Sequence, residues 1–277
     1  MVFLMSELEY AKRGLIGVLT PQANTTVEPE FSILWPAGVT MLNARLTSSK
    51  KTIEERLVDY THKIEGTLDE FANAPIQAVA FGCTGASYLI GQKEEENLCD
   101  RIKKKKNYPF VTAARAVIDS FNTLNAKRIG LVSPYPAKLT EISVNYWSNA
   151  GFEVCEVASA FNSENDFHPI YSLRADSSSD ALKSLELKDI DAIVMLGTGM
   201  PTLQPILNCR DWNGPPVTSC MLSLAWRTML YVDDIKPTKE NLLVWIRGDD
   251  WGERFHSNTQ VRSRLGSSET DSDSRFQ

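Results

Sequence analysis

Between about residue 12 and residue 232, short unbroken apolar runs alternate with longer stretches in which apolar side chains recur at three- and four-residue steps. Runs such as IGVL (16–19), AVAF (78–81), IGLV (129–132) and AIVM (192–195) have the pattern of strands covered on both faces. Strands are predicted at Gly14–Leu19, Val39–Leu46, Ala78–Phe81, Phe110–Thr112, Arg128–Val132, Phe152–Val157, Ala192–Leu196 and Pro216–Ser219. Helices are predicted between them. Thr52–Asn73 carries Leu57, Tyr60, Ile64 and Leu68 on one face, and Pro136–Asn149 and Ser177–Leu187 read the same way. This alternation predicts an α/β fold with mainly parallel sheets. From Phe255 to Gln277 the pattern gives way to Ser, Asp, Glu and Arg, and a disordered tail is expected over 255–277. The Lys103–Lys106 run is expected to be a solvated loop.

The pattern also repeats. Gly14-Leu-Ile-Gly-Val-Leu-Thr-Pro21 resembles Lys127-Arg-Ile-Gly-Leu-Val-Ser-Pro134 at an offset of 113 residues. Ala78-Val-Ala-Phe-Gly-Cys-Thr-Gly85 resembles Ala192-Ile-Val-Met-Leu-Gly-Thr-Gly199 at an offset of 114. Phe110-Val-Thr-Ala113 echoes Pro216-Val-Thr-Ser219 at 106. Three segments recurring in one order imply two pseudo-symmetric three-layer lobes, 12–122 and 123–232, with the last helix able to pack back on the first lobe. The period is too long for a solenoid. Each lobe should present its loops at the carboxyl ends of parallel strands, where open α/β sheets bind ligands. A two-fold arrangement brings the two loop sets to one inter-lobe cleft.

Composition narrows the function. Lys and Arg number 29 against 35 Asp and Glu, a net charge of −6, which argues against nucleic acid as a partner. No apolar run approaches the ~18–20 residues needed to span a bilayer, and Met1–Met5 is too short for a signal peptide. Five cysteines, at 83, 99, 155, 209 and 220, make no disulfide framework, so a cytoplasmic protein with reduced thiols is expected. The three histidines (62, 168 and 256) have no metal-ligand spacing, and a hydrolase would need one of them as base, with His168 the candidate.

The chemistry sits in four loops. Pro21-Gln-Ala-Asn-Thr-Thr-Val-Glu follows a strand and opens a helix, so Asn24, Thr25 and Thr26 either cap that helix or aim at a carboxylate beside it. Ser133-Pro-Tyr-Pro-Ala-Lys138 is the matching loop of the second lobe and carries Tyr135. Gly82-Cys-Thr-Gly85 and Leu196-Gly-Thr-Gly199 are small-residue turns whose N–H groups can hold an anion without a basic residue. Neither is a dinucleotide or Walker motif. Cys83, in such a turn, is expected to have its thiolate favoured. Cys99, Cys155 and Cys209 read as bland, and Cys220 edges toward the cleft.

These residues resemble the aspartate/glutamate racemase superfamily, and within it the maleate isomerase and arylmalonate decarboxylase group. The resemblance rests on Pro21-Gln-Ala-Asn-Thr-Thr-Val-Glu, Phe81-Gly-Cys-Thr-Gly, Val132-Ser-Pro-Tyr, Ser163-Glu-Asn-Asp and Gly197-Thr-Gly-Met-Pro-Thr-Leu203, and covers roughly residues 12–232. It implies two α/β lobes, a cleft site, a small carboxylic-acid substrate, no cofactor and a possible homo-oligomer. It assigns Cys83 as nucleophile or acid/base and Tyr135 as its catalytic companion. Asn24 and Asn165 (with Asn162 as a second register) would bind substrate carboxylates. The turns Thr84–Gly85 and Thr198–Gly199 would hold the charge that develops. The sequence departs from the family at Gly197, where isomerases and racemases carry a second cysteine. Racemisation needs an acid and a base on opposite faces, so a single thiol argues against it. Maleate-type cis–trans isomerisation through a Cys83 adduct is the first expectation. Arylmalonate-type decarboxylation with Cys83 as the one proton donor is the second, and a non-catalytic small-acid binder the third.

Overall fold

The computed structural model describes residues 7–162 and 169–258. Two four-stranded sheets form its centre, both wholly parallel. The first runs β2 (Val39–Leu46), β1 (Gly14–Pro21), β3 (Ala78–Phe81), β4 (Phe110–Thr112). The second runs β6 (Glu153–Ser159), β5 (Arg128–Ser133), β7 (Ala192–Met195), β8 (Val217–Ser219), which is the same order. Register repeats as well. Ile16 faces Ala78 across β1 and β3, and Ile129 faces Ala192 across β5 and β7. The pseudo-symmetric α/β architecture expected from the repeat is therefore the observed one, with the strand ends shifted by a residue or two.

Burial explains the apolar runs. Every residue of β1, β3 and β7 is buried, because helices cover both faces of the central strands. The edge strands β2 and β6 are largely half-exposed or exposed and correspondingly mixed in sequence. The helices are α1 (Val27–Leu34), α2 (Ile53–Thr67), α3 (Thr84–Lys106), α4 (Ala113–Leu124), α5 (Ala137–Asn149), α6 (Ala175–Lys183), α7 (Leu203–Asn208), α8 (Cys220–Val232) and α9 (Lys239–Arg247). Helix α2 opens with a reciprocal capping box between Thr52 and Glu55, which satisfies backbone N–H groups of its first turn.

Helix α8 ties the lobes together. It leaves β8 of the second sheet and packs on α1, α4 and β3 of the first. The Trp35 indole N–H donates to Ala225 O at 3.3 Å, and Arg227 pairs with Asp119 at 2.6 Å. We propose 12–122 and 123–232 as the two duplicated units, with α8 as the crossing element.

Three expectations are corrected. The helix expected to reach Asn73 ends at Thr67 and tightens into a 3₁₀ turn, Leu68–Phe71. Lys103–Lys106 is the last turn of α3, not a loop; Lys105 and Lys106 pair with Glu65 and Asp69, and positive charge suits a helix C-terminus. The tail expected to be disordered from Phe255 begins with a helical turn over 252–258, because Phe255 packs against the core. Residues 259–277 lie outside the described residues.

Candidate active site

The site begins where β3 becomes α3. Gly82 N–H donates to Leu19 O at 2.9 Å, and a Cβ at Gly82 would stand 2.9 Å from Val27 Cγ2, so the turn passes tightly under α1. Cys83 then occupies the N-cap of α3 in an extended conformation and is 4% exposed. The Ala86 N–H favours its thiolate, as expected for this turn, but burial is the larger effect and pushes the thiol up to about 12. The expected thiolate is thus overturned. One helix-terminal N–H does not replace the water that Cys83 has lost, and the group rests as a thiol.

The second lobe places Gly197 after β7 with φ +78°, a left-handed backbone suited to glycine. A Cβ there would stand 2.8 Å from Pro134 Cγ and 3.3 Å from the Tyr135 hydroxyl. Tyr135 comes from the loop after β5. Its N–H donates to Ser133 Oγ at 3.3 Å, and its ring meets Tyr88 edge-on at 6.0 Å. Burial holds its phenol well above the usual tyrosine range. Cys220, at the start of α8, is fully buried beneath this point, close to the Gly197 N–H and the Thr84 and Tyr88 hydroxyls, with its thiol pushed up to about 11. The Thr84 and Tyr88 hydroxyl oxygens make no hydrogen bond.

The two loop sets are stitched directly to each other. Thr198 Oγ1 donates to Gly82 O at 2.7 Å, and Thr26 Oγ1 to Gly199 O at 2.9 Å. Asn24 Oδ1 accepts from the N–H groups of Thr26 and Val27, capping α1, while Nδ2 donates to Thr198 O at 3.2 Å. Asn24 therefore holds Thr198 in place and does not line the cavity. Of its two expected roles, the structure realises the cap and adds a strut between lobes. Glu30 of α1 adds a further contact, accepting from Thr202 N–H at 2.8 Å, and burial raises its carboxyl to about 7.

These elements line a partly open cavity between the lobes. Cys83, Thr84, Gly85, Tyr135, Gly197, Thr198 and Gly199 all line it. Asn165 and His168 lie outside the described residues. Sequence reasoning missed the opposite wall. Ile53, Arg56, Leu57 and Tyr60 of α2 line it, together with Ile170 and Tyr171. The α2 residues follow helical spacing and were legible as a face, though not as a face of the cleft. Tyr171 rests on Gly199, its Cδ1 2.3 Å from where a Cβ would stand. Among the described residues no three His, Cys, Asp or Glu converge as a metal site, and no helix is long and apolar enough to cross a membrane.

Chemically, the cavity offers one thiol, a buried phenol and N–H-bearing turns on two sides. This suits attack by the thiol in a reaction whose negative charge grows beside the turns.

A family model described as arylmalonate decarboxylase matches residues 16–241. The maleate isomerase of Geobacillus stearothermophilus is 27% identical over 235 residues, covering 79% of this chain and 92% of that protein. The crystal structure of a maleate isomerase from Pseudomonas putida superposes with a TM-score of 0.72 at 26% identity, covering 80% of this chain and 93% of that one. A mutant of the Nocardia farcinica maleate cis-trans isomerase, solved with a covalently bound succinylcysteine intermediate, shares the fold with a TM-score of 0.71 at 22% identity, covering 83% of this chain and 98% of that one.

Proposed function

Because the chain belongs to the arylmalonate decarboxylase family, we propose that it is a cysteine-dependent isomerase of a small cis-unsaturated dicarboxylic acid of the maleate type. One observation carries this reading: Cys83, at the N-cap of α3, lines an inter-lobe cavity in which the Tyr135 phenol stands 3.3 Å from where a side chain on Gly197 would begin. The names of the 24–27% identical relatives, all maleate isomerases, support it.

The reaction adds the thiol across the double bond and then reverses. Cys83 Sγ bonds to one alkene carbon, and the π pair moves to the other, spreading into its carboxylate. The Thr84–Gly85 and Thr198–Gly199 N–H groups hold that charge. Tyr135 gives its hydroxyl proton to the carbanionic carbon, and the thiol proton of Cys83 restores the phenol. Nothing is consumed, since the sum is S–H across C=C. The former double bond is now single and rotates. Elimination by the same groups returns the thiol and releases the trans acid. A resting thiol fits this scheme, because its proton is part of the inventory.

The single thiol also favours a second reading, decarboxylation of a substituted malonate. There the lost CO₂ leaves an enediolate and Cys83 protonates one face. The separating experiment is NMR of the purified protein with maleate and, in parallel, with a 2-aryl malonate. Conversion of maleate to fumarate supports the isomerase. Loss of CO₂ from the malonate with no change in maleate overturns it in favour of the decarboxylase, and inertness toward both leaves a small-acid binder.

A further inference from the structure

Helix α2 meets the cavity with one face of its first two turns, Ile53, Arg56, Leu57 and Tyr60. Their i, i+3, i+4, i+7 spacing is that of a core stripe, which Ile64 continues into the buried interior. An arginine breaks that stripe. Arg56 is half-buried, its guanidinium donates to Lys51 O at 3.3 Å, and it pairs with no carboxylate among the described residues. Among the described residues, every other side chain lining the cavity is formally neutral. Arg45, the second cation that acts on Tyr171, is already paired with Glu28.

A partly desolvated cation without a counter-ion costs stability unless an anion arrives to match it. The N–H turns account for the carboxylate on the reacting carbon. Asn24 has committed its amide to Thr198, so it leaves nothing for a second carboxylate. Arg56 has charge and free donors, and Ile53 and Leu57 beside it thin the water that would screen them. Its positive field already acts on the Tyr60 and Tyr171 hydroxyls, partly offsetting the rise that burial gives both.

We propose that Arg56 binds the second carboxylate of a dianionic substrate, the one farther from the N–H turns, and so makes the cavity selective for dicarboxylates over their monoamides. This rests on the reading of the cavity as the Cys83 site. Charge-assisted hydrogen bonds of this kind are worth about ten- to a hundred-fold in affinity.

The test does not need turnover. Binding of maleate and of its monoamide, maleamate, is measured by calorimetry on the Cys83→Ser protein, with and without Arg56→Gln. With Arg56 present, maleate should bind at least about ten-fold more tightly than maleamate. Arg56→Gln should weaken maleate by about that factor and leave maleamate within about two-fold. Arg56→Lys, which keeps the charge and guards against a general folding defect, should recover part of the loss. Equal losses for both ligands, no loss for either, or no binding of either to the Cys83→Ser parent overturns the proposal. Failure of the isomerase reading shows separately, as a wild-type protein that prefers the dianion yet leaves maleate unchanged.

Discussion

The Tyr135 hydroxyl lies 3.3 Å from the point where a Cβ on Gly197 would stand. The position that the internal repeat pairs with Cys83 is therefore faced by a phenol reaching across from the neighbouring loop. The backbone there, at φ +78°, is one that side chains adopt at a cost. Gly197→Ala should lower stability by about 1–3 kcal/mol and displace Tyr135, lowering turnover with it. Chemical denaturation and a turnover assay check this. An unchanged midpoint with unchanged activity would show that the close approach is unimportant.

Cys83→Ser should reduce turnover by about a thousand-fold or more, with the circular dichroism spectrum unchanged. Cys99→Ser should leave the rate within about two-fold, since Cys99 lies away from the cavity. Full activity in the Cys83 variant, on whichever substrate the NMR assay identifies, would refute the adduct.

Burial pushes the Cys83 thiol up to about 12, so the thiolate is scarce at neutral pH and grows as pH rises toward that value. Alkylation of Cys83 in the free protein should be slow at pH 7 and climb about ten-fold per pH unit well below 12. It should trail the half-exposed Cys155 near neutrality. Mass spectrometry of iodoacetamide-treated protein at several pH values decides it, and a Cys83 rate that levels off below pH 8 would contradict the burial argument.

Glu30 has its carboxyl raised from 4.5 to about 7 by burial, which outweighs the opposing hydrogen bonds from Thr202. The folded state thus binds the proton more tightly than the unfolded chain, and its contribution is fully present below pH 4.5. It is lost as pH rises through about 7, so stability should fall across that window by up to roughly 3 kcal/mol. Glu30→Gln keeps the shape without the charge and should flatten the curve. Urea denaturation of both proteins between pH 5 and 8 measures it, and parallel curves would exclude Glu30 as the source.

Much of the fold was legible in the sequence because it is local. A central parallel strand must be apolar on both faces, so IGVL and its three echoes announce themselves, and the 113–114 residue offsets reappear as equivalent registers in two sheets. The turns at Gly82–Gly85 and Gly197–Gly199 were equally visible, since small residues at a strand end leave N–H groups bare. The sequence also showed that Gly197 lacks a thiol.

What fills that gap was a matter of tertiary structure. Asn24 turns to Thr198 because the lobes approach closely enough for its amide to cross between them. The Cys83 thiol rises because burial takes its water away, a cost that a turn sequence does not record. Arg56 faces the cavity because the buried Leu57, Tyr60 and Ile64 seat α2 on α3, β1 and β2, and that packing sets its rotation. Periodicity along a chain names the faces of its elements. Which faces meet across the cleft depends on packing between segments far apart in sequence, and that only the folded structure decided.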